Sequence, residues 1–589
     1  MKGIYRIQLT YTKDGSATMV NALSWDEAVA QATSAGSLYE IYEAELNGRG
    51  IKMFKSSPPS LRMLFDLARL RTETTALVYE DEVWTFGDLA KKVDSYASML
   101  VNKYDIQKGD RVAIAMRNYP EWIAAFFAIE SVGAIAVLLN AWWTPEELEH
   151  GIKLSGSKLV FVDSERLVRI GKLVKSSNDP TLESLKIIVV RHEGDLSESS
   201  SYVSKIDDLL EEGATMPYVE VGAEDFATML FTSGTTGRPK GAVSTHRAVL
   251  HGLLGFGCRR AVDALRYQEE SGPKEDVQSS FILVVPLFHV TGAIPVMLGC
   301  FTTGSKLVMM HKWEPERALE LIERERVTTF VGVPTQAHDL LESPSFATRD
   351  TSSLKSVGGG GAPAPPELAR RIERSFKNGR PQIGYGMTET NAYGPGNSDD
   401  DYLNKPSSTG RCVPIMEVRV VSPEGDILPT GEIGEIEFFG ANLISGYWED
   451  VEATEEAFHD GWLRTGDLGY IDEDGFVFVV DRAKDMVLRG GENIYCAEVE
   501  AVLYEHPAIS EVAVFGIPDE RLGEEPVAAV VLREGASVDE GELKSFASEH
   551  LAPFKIPVHV IFKKDGLPRN AAGKVLKREL KEELIKTQK

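Results

Sequence analysis

Cysteine is scarce: the 589 residues hold only Cys258, Cys300, Cys412 and Cys496, with no Cys-x-x-Cys spacing. That excludes a disulfide framework and a zinc module, and a reduced, cytoplasmic protein is expected. Positive charge is also short, 63 Lys and Arg against 89 Asp and Glu, for a net charge of −26. A field of that sign repels nucleic acid and anionic membranes, so neither is an expected partner. A polyanionic substrate would need a local site of backbone amides and a few placed cations. The opening "MKGIYRIQLTYTKDGS" has no apolar signal-peptide core, and the closing "IKTQK" is not the peroxisomal address. Repeats and low-complexity tracts are absent, and 52 Gly with 28 Pro is ordinary usage, which excludes a collagen-like or linker-dominated chain. One run without charge, Phe281 to Phe301, has bilayer length. Its two prolines, its histidine and its β-branched start predict instead a core strand followed by a helix.

What is present reads as an ordinary globular α/β chain, 43% hydrophobic and 26% charged. At about 150 residues per domain, roughly four structural units are expected. The first 58 residues look like an appendage, with Ser24 and Glu27 forming a capping box and "NGRG" (47–50) and "SSPPS" (56–60) as breaks. Apolar strands then alternate with helices: "RVAIAM" (111–116), an apolar-faced helix over 120–132, "GAIAVLL" (133–139), a helix capped by Thr144-Pro145-Glu146-Glu147, "KLVFVD" (158–163) and "KIIVV" (186–190). This pattern predicts parallel sheets covered on both faces. A second alternation runs from Met229 to about Gly384. After Thr409, short alternating strands and turns predict a small antiparallel unit. The segment from about 485 to 578 mixes strands with helices near 497–505 and 539–551.

Five segments can carry chemistry. "LFTSGTTGRPKG" (230–241) follows an apolar strand and precedes a stretch of helical potential. Its glycines let successive amides point at one anion, while Thr232, Ser233, Thr235, Thr236 and Lys240 add donors and charge suited to a triphosphate. An ordinary Gly/Thr-rich surface loop is the alternative, and Pro239 rules out a Walker A loop. "GGGGAPAP" (358–365) makes a side-chain-free ledge for a planar base or an acyl chain. In "GYGMTET" (384–390), Tyr385 offers a ring, Thr388 a hydroxyl and Glu389 a carboxylate suited to Mg²⁺, or simply an exposed turn. Asp467 and Arg482 can hold ribose hydroxyls, or form a surface ion pair. Lys574, in "LPRNAAGKVLKREL", would by itself be an exposed, inert lysine.

In this order, "TSGTTGRPKG", "YGMTE", "TGD", "DRAKD" and the distal Gly-Lys resemble the adenylate-forming superfamily of acyl-CoA synthetases, over roughly residues 59–580. The resemblance implies an extension (1–58), a large AMP-binding domain (59–480) of two doubly wound sheet subdomains and a small β-barrel subdomain, a hinge (481–484), a mobile α+β C-terminal domain (485–580) and a tail (581–589). By position, residues 232–240, with Gly234 and Gly237, would hold the ATP phosphates. Gly361, Ala362, Pro363, Gly384, Tyr385, Gly386 and Met387 would bind the adenine side, with Val479 beside them. Thr388 would contact phosphate, Glu389 would ligate Mg²⁺, and Asp467 and Arg482 would hold the ribose. Lys484 falls at the hinge, where other members carry Asp. Arg489, Gly490 and Gly491 would border the CoA channel. His289, in "PLFHVTG", would gate the carboxylate, or be a satisfied core histidine.

The implied reaction joins a carboxylate to the α-phosphorus of ATP, releasing pyrophosphate, and then passes the acyl group to CoA. Lys574 is expected to act as a cation, near the reference pKa of about 10.4. The glycine ledge suggests room for a medium- or long-chain fatty acid. An aryl acid, an amine acceptor giving an amide, and a nucleotide-binding protein without catalysis are the alternatives. A monomer or homodimer is expected. No carrier-protein signature follows the last unit, which favours CoA as the thiol.

Overall fold

The computed structural model describes residues 7–11, 17–21, 23–46, 48–176, 178–196, 202–232, 238–267, 278–570 and 573–587. Among them, two eight-stranded sheets form the large domain. The first runs Val203–Lys205, Lys186–Val189, Leu159–Val162, Arg111–Ala115, Ile135–Leu138, Phe226–Thr232, Lys240–Thr245, Gly446–Tyr447. It is parallel up to Phe226–Thr232, and its last two strands are antiparallel. The second runs Gly396–Ser398, Arg380–Gly384, Ser356–Gly360, Thr329–Gly332, Ser280–Leu283, Lys306–Met309, Thr75–Tyr79, Glu82–Thr85. Only its two edge strands are antiparallel.

The helix Pro120–Ser131 belongs to the core that the two sheets share. Its sequence suggests a single apolar face, but all its residues except Glu121 are buried. A helix apolar all round is stable only inside a large protein or a membrane, and here it is the former. Phe127 stands 4.6 Å from Phe65 and 4.6 Å from Phe301, ring to ring, which ties the helix to both neighbours. The uncharged run 281–301 becomes the strand Ser280–Leu283 and a wide π-type turn, Gly292–Leu298, continued by Gly299–Thr303. Pro295 lies inside that turn; it has no N–H to give to a ladder, so the widened geometry loses little there. No helix among the described residues is long and apolar enough to cross a membrane.

Residues 23–58 pack onto the large domain. Ser24 and Glu27 form the capping box at the start of Trp25–Ala32, and Ile41–Leu46 pairs antiparallel with Arg49–Phe54, so Arg49 and Gly50 of the expected break belong to a strand. Trp25 lies 4.9 Å from the Arg259 guanidinium and 4.3 Å from that of Arg411. The N–H of Phe54 donates to His251 Nε2 at 3.2 Å, and that of Leu61 to His246 Nδ1 at 3.1 Å.

A five-stranded antiparallel sheet follows: Met416–Val421, Gly434–Gly440, Trp462–Ile471, Phe458–His459, with Val477–Arg482 also on Trp462–Ile471. The smaller C-terminal domain has its own five-stranded sheet, centred on Ile509–Asp519 and Gly523–Leu532. The helices Cys496–Tyr504, Glu540–His550 and Lys577–Thr587 belong to this domain.

One element differs from the sequence reading. The stretch after the Gly/Thr loop has helical potential, yet Lys240–Thr245 is a strand, antiparallel to Phe226–Thr232 with Lys240 opposite Thr232. Only then does the 22-residue helix His246–Tyr267 begin. Ala242 to Thr245 are all buried, and β-branched residues there fit a sheet covered on both faces.

Candidate functional site

The antiparallel pairing sets the mouth of the loop. Thr232 and Lys240 face each other across its ends, and Lys240 Nζ lies 5.2 Å from the centre of the Tyr447 ring. Ser233, Gly234, Thr235, Thr236 and Gly237 lie outside the described residues.

The glycine ledge belongs to the strand Ser356–Gly360, and Gly360 pairs with Gly384 of the next strand. A Cβ on Gly360 would sit 2.9 Å from the Gly384 carbonyl oxygen, so that close approach requires glycine. Gly361 takes φ +77°, turning the chain into Ala362 and Pro363. On its Gly358–Gly359 side the ledge offers little of the expected acyl room. Gln382 covers Gly358, and the space among Pro334, Gly358, Gly359, Gln382, Ile383 and Tyr402 is about 10 Å³, scarcely one water.

Past Gly384, the chain packs too tightly for side chains at Gly386, where a Cβ would meet the Ala392 carbonyl oxygen at 2.2 Å. Met387 precedes the short 3₁₀ turn Thr388–Thr390, after which Asn391 and Ala392 take φ of 53° and 64°. Asn391 tolerates this conformation because its side chain is held, accepting from Ser244 Oγ at 3.0 Å and donating to the Asn442 carbonyl at 2.9 Å. The reversal turns Glu389 inward, where it is 6% exposed. Burial pushes its carboxyl above the usual range, opposed by Tyr447, whose hydroxyl donates to Oε1 at 2.7 Å. Tyr447 was not singled out by its sequence; 58 positions from Glu389, it carries no local signal beyond an aromatic after Gly446.

Asp467 and Arg482 are register partners on Trp462–Ile471 and Val477–Arg482. Arg482 Nε lies 3.3 Å from Asp467 Oδ1, and the Tyr385 hydroxyl donates to Oδ2. Val479, on the same strand, packs against the core of this small sheet. Lys574 reaches the same place from the C-terminal domain. Burial, then the Arg482 guanidinium and the Lys484 ammonium, push it down to about 8, against the opposing carboxylates of Asp485 and Asp467. This corrects the expectation of an ordinary lysine near 10.4. At neutral pH it still carries its charge.

Lys484 is the third residue of a turn closed by the Asp485 N–H on the Arg482 carbonyl at 3.0 Å. Arg489, Gly490 and Gly491 form a tight hairpin in which both glycines have positive φ, and Arg489 pairs with Glu525 at 3.2 Å. His289 is half-buried, and burial pushes its imidazole down to about 4. Its Nδ1 accepts the Thr291 N–H at 3.3 Å, which fixes a neutral ring. Beside Lys574, a cavity of about 760 Å³ opens between the two domains. Val285, Phe288, Trp313 and Pro363 line it from one side, and Arg569 and Gly573 from the other.

The description of the AMP-binding enzymes matches residues 64–448, and that of their C-terminal domain matches residues 498–574. The chain belongs to this adenylate-forming acyl- and aryl-CoA ligase family. Among its relatives, a long-chain-fatty-acid–CoA ligase of Bacillus subtilis is 33% identical over 88% of this chain and 94% of that one. A feruloyl-CoA synthase of an Amycolatopsis species is 34% identical over 87% and 96%. The structure of an anthranilate CoA ligase in complex with anthranoyl-AMP shares a TM-score of 0.80 and 26% identity, over 90% of this chain and 98% of that one. In this AMP-binding enzyme, Glu389 fits a magnesium site: it is a buried carboxylate with no basic side chain at ion-pair distance among the described residues. Mg²⁺ asks only one or two carboxylates besides nucleotide phosphates.

Proposed function

We propose that this AMP-binding enzyme activates a hydrophobic carboxylic acid, a medium- or long-chain fatty acid, as acyl-AMP and transfers the acyl group to CoA. The observation that carries the reading is that Lys574, half-buried, comes from the small domain within electrostatic reach of Asp467 and Arg482 of the large one. A carboxylate is a weak nucleophile, and its attack on phosphorus sets negative charge against negative charge. Catalysis then depends on positioning and charge neutralisation. Thr232 and Lys240, with the loop between them, and Thr388 hold the phosphates. Asp467 accepts from the ribose hydroxyls beside Arg482, and the turn Gly384 to Met387 with Gly361 to Pro363 receives the adenine. The Lys574 ammonium neutralises charge that develops on the α-phosphoryl oxygens. Glu389 would hold Mg²⁺, which when bound supplies a second positive charge to the phosphates.

His289, kept neutral, stands at the acid's entrance as a polar gate. The turn at Lys484 serves as the hinge, and the hairpin Arg489–Gly491 borders the pantetheine path in the second half-reaction. The apolar wall of the cavity, with Val285, Phe288 and Trp313, supports a hydrophobic acid. So does the likeness to the fatty-acid ligase, whereas the feruloyl-CoA synthase keeps an aryl acid as the competing outcome. Pyrophosphate release is measured with short, medium and long fatty acids and with aryl acids, each with and without CoA. Medium and long chains should release most, with acyl-CoA formed only when CoA is added. Preference for aryl acids overturns the substrate, and acid-independent ATP cleavage overturns the reaction.

A further inference from the structure

Tyr447 lies outside every motif the sequence offers, yet it links two of them. Its strand, Gly446–Tyr447, pairs antiparallel with Lys240–Thr245, placing Ala242 opposite Tyr447. The backbone N–H of Tyr447 donates to Thr454 Oγ1 at 2.9 Å, which fixes the strand from its other side. From that frame, its hydroxyl donates to Glu389 Oε1 at 2.7 Å, while its ring face lies 5.2 Å from Lys240 Nζ. The same segment also grips the backbone of Glu389, whose carbonyl accepts the Ile444 N–H at 3.0 Å.

We propose that Tyr447 is a positioning residue for the metal-binding carboxylate: it pins one oxygen of Glu389, leaves the other for the cation that accompanies ATP, and keeps Lys240 in register with that carboxylate. The inference rests on the ATP-dependent reading above. A neutral phenol suits this task better than a basic side chain. Lys or Arg in its place would neutralise the carboxylate and compete with the incoming cation, whereas a hydroxyl orients the carboxylate and leaves its charge intact. A glutamate held at one oxygen has also given up its side-chain freedom before the cation arrives, so less is lost on binding. Groups that orient a metal ligand from behind change metal affinity by about 10–100-fold.

Tyr447→Phe keeps the ring, and with it the contact to Lys240, and removes only the hydroxyl. The Mg²⁺ concentration that half-saturates acid-dependent pyrophosphate exchange should rise about tenfold, with the maximal rate recovered at high Mg²⁺ and the KM for the acid unchanged. A second readout does not need turnover. Mn²⁺, titrated into enzyme that holds a non-hydrolysable ATP analogue and followed by electron paramagnetic resonance, should bind about tenfold more weakly to the variant. On a Glu389→Gln background, Tyr447→Phe should add nothing to either readout, because its action runs through that carboxylate. Equal Mn²⁺ affinity in parent and Tyr447→Phe overturns the proposal, as does an additive effect on the Glu389→Gln background. If the parent releases no pyrophosphate with any acid, the adenylation reading falls, while the Mn²⁺ titration still decides the role of Tyr447.

Discussion

Lys574 reaches the site with its proton already loosened. Removing it from water, beside Arg482 and Lys484, brings the ammonium down to about 8, so near neutral pH it is charged and by pH 9 it is mostly not. A lowered lysine keeps its proton below its own pKa and loses it above. The kcat/KM for acyl-AMP formation should therefore fall as pH rises through about 8. Lys574→Arg, whose guanidinium does not titrate there, should flatten that alkaline limb, as a pH profile of pyrophosphate exchange can show. Lys574→Ala should slow adenylation by about 10²–10³-fold while leaving thioester formation from supplied acyl-AMP largely intact. An equal loss in both halves would remove Lys574 from its assigned role. The positions of Glu389, Asp467 and Lys574 could be read from motif order, since each sits in a short segment with a Gly or a hydroxyl beside it. Tyr447 could not, because its meaning lies in a hydrogen bond across 58 positions and its own segment says nothing of it.

At the scale of elements, the helix His246–Tyr267 carries an unusual load. Its two buried histidines accept backbone N–H groups from residues 23–58 and from the helix that follows them, His251 from Phe54 and His246 from Leu61. Such acceptors must be unprotonated, and burial pushes both imidazoles down to about 4. The surroundings act on them from several sides: Asp225, Lys108 and the buried Glu130 near His246, Arg247 and Glu224 near His251. An unfolded imidazole takes its proton near 6.5, the folded ones only near 4. Between those values the unfolded chain binds more protons, and stability falls as pH falls. The loss should reach about 3 kcal/mol per histidine by pH 4, measured by denaturant unfolding across that range. His251→Gln, which accepts without titrating, should show a shallower decline than the parent. Most strands and helices that place the site were legible, because apolar runs and Pro-containing caps mark them locally. The strand Lys240–Thr245 was not. Its residues suit either state, and the choice is made by two neighbouring strands distant in sequence. The all-round burial of Pro120–Ser131 was likewise invisible, since being covered on every side depends on both sheets.

Across the whole molecule, the arrangement that brings Lys574 to Asp467 also presses Gly573 against Val333. A Cβ built on Gly573 lies 3.9 Å from Val333 Cβ, within the span of a disulfide. The pair Val333→Cys with Gly573→Cys should therefore cross-link on oxidation, at a cost of about 1–2 kcal/mol for a side chain at φ +81°. The oxidised protein should keep forming acyl-AMP and lose thioester formation, with reductant restoring the second half. Full thioester activity in the cross-linked form would show that no swing of the small domain is needed. The division into a large α/β body and a small terminal unit could be anticipated from changes of texture along the sequence. The contact between them could not, since nothing local marks Gly573 as a neighbour of Val333. The hollow of about 760 Å³ follows from that contact, because residues of both domains wall it. A compound shaped to that hollow would be a wedge: it would hold the two bodies as they stand and take the acid's own place, stopping turnover before the first product, with no resemblance to a nucleotide and no need to compete with one.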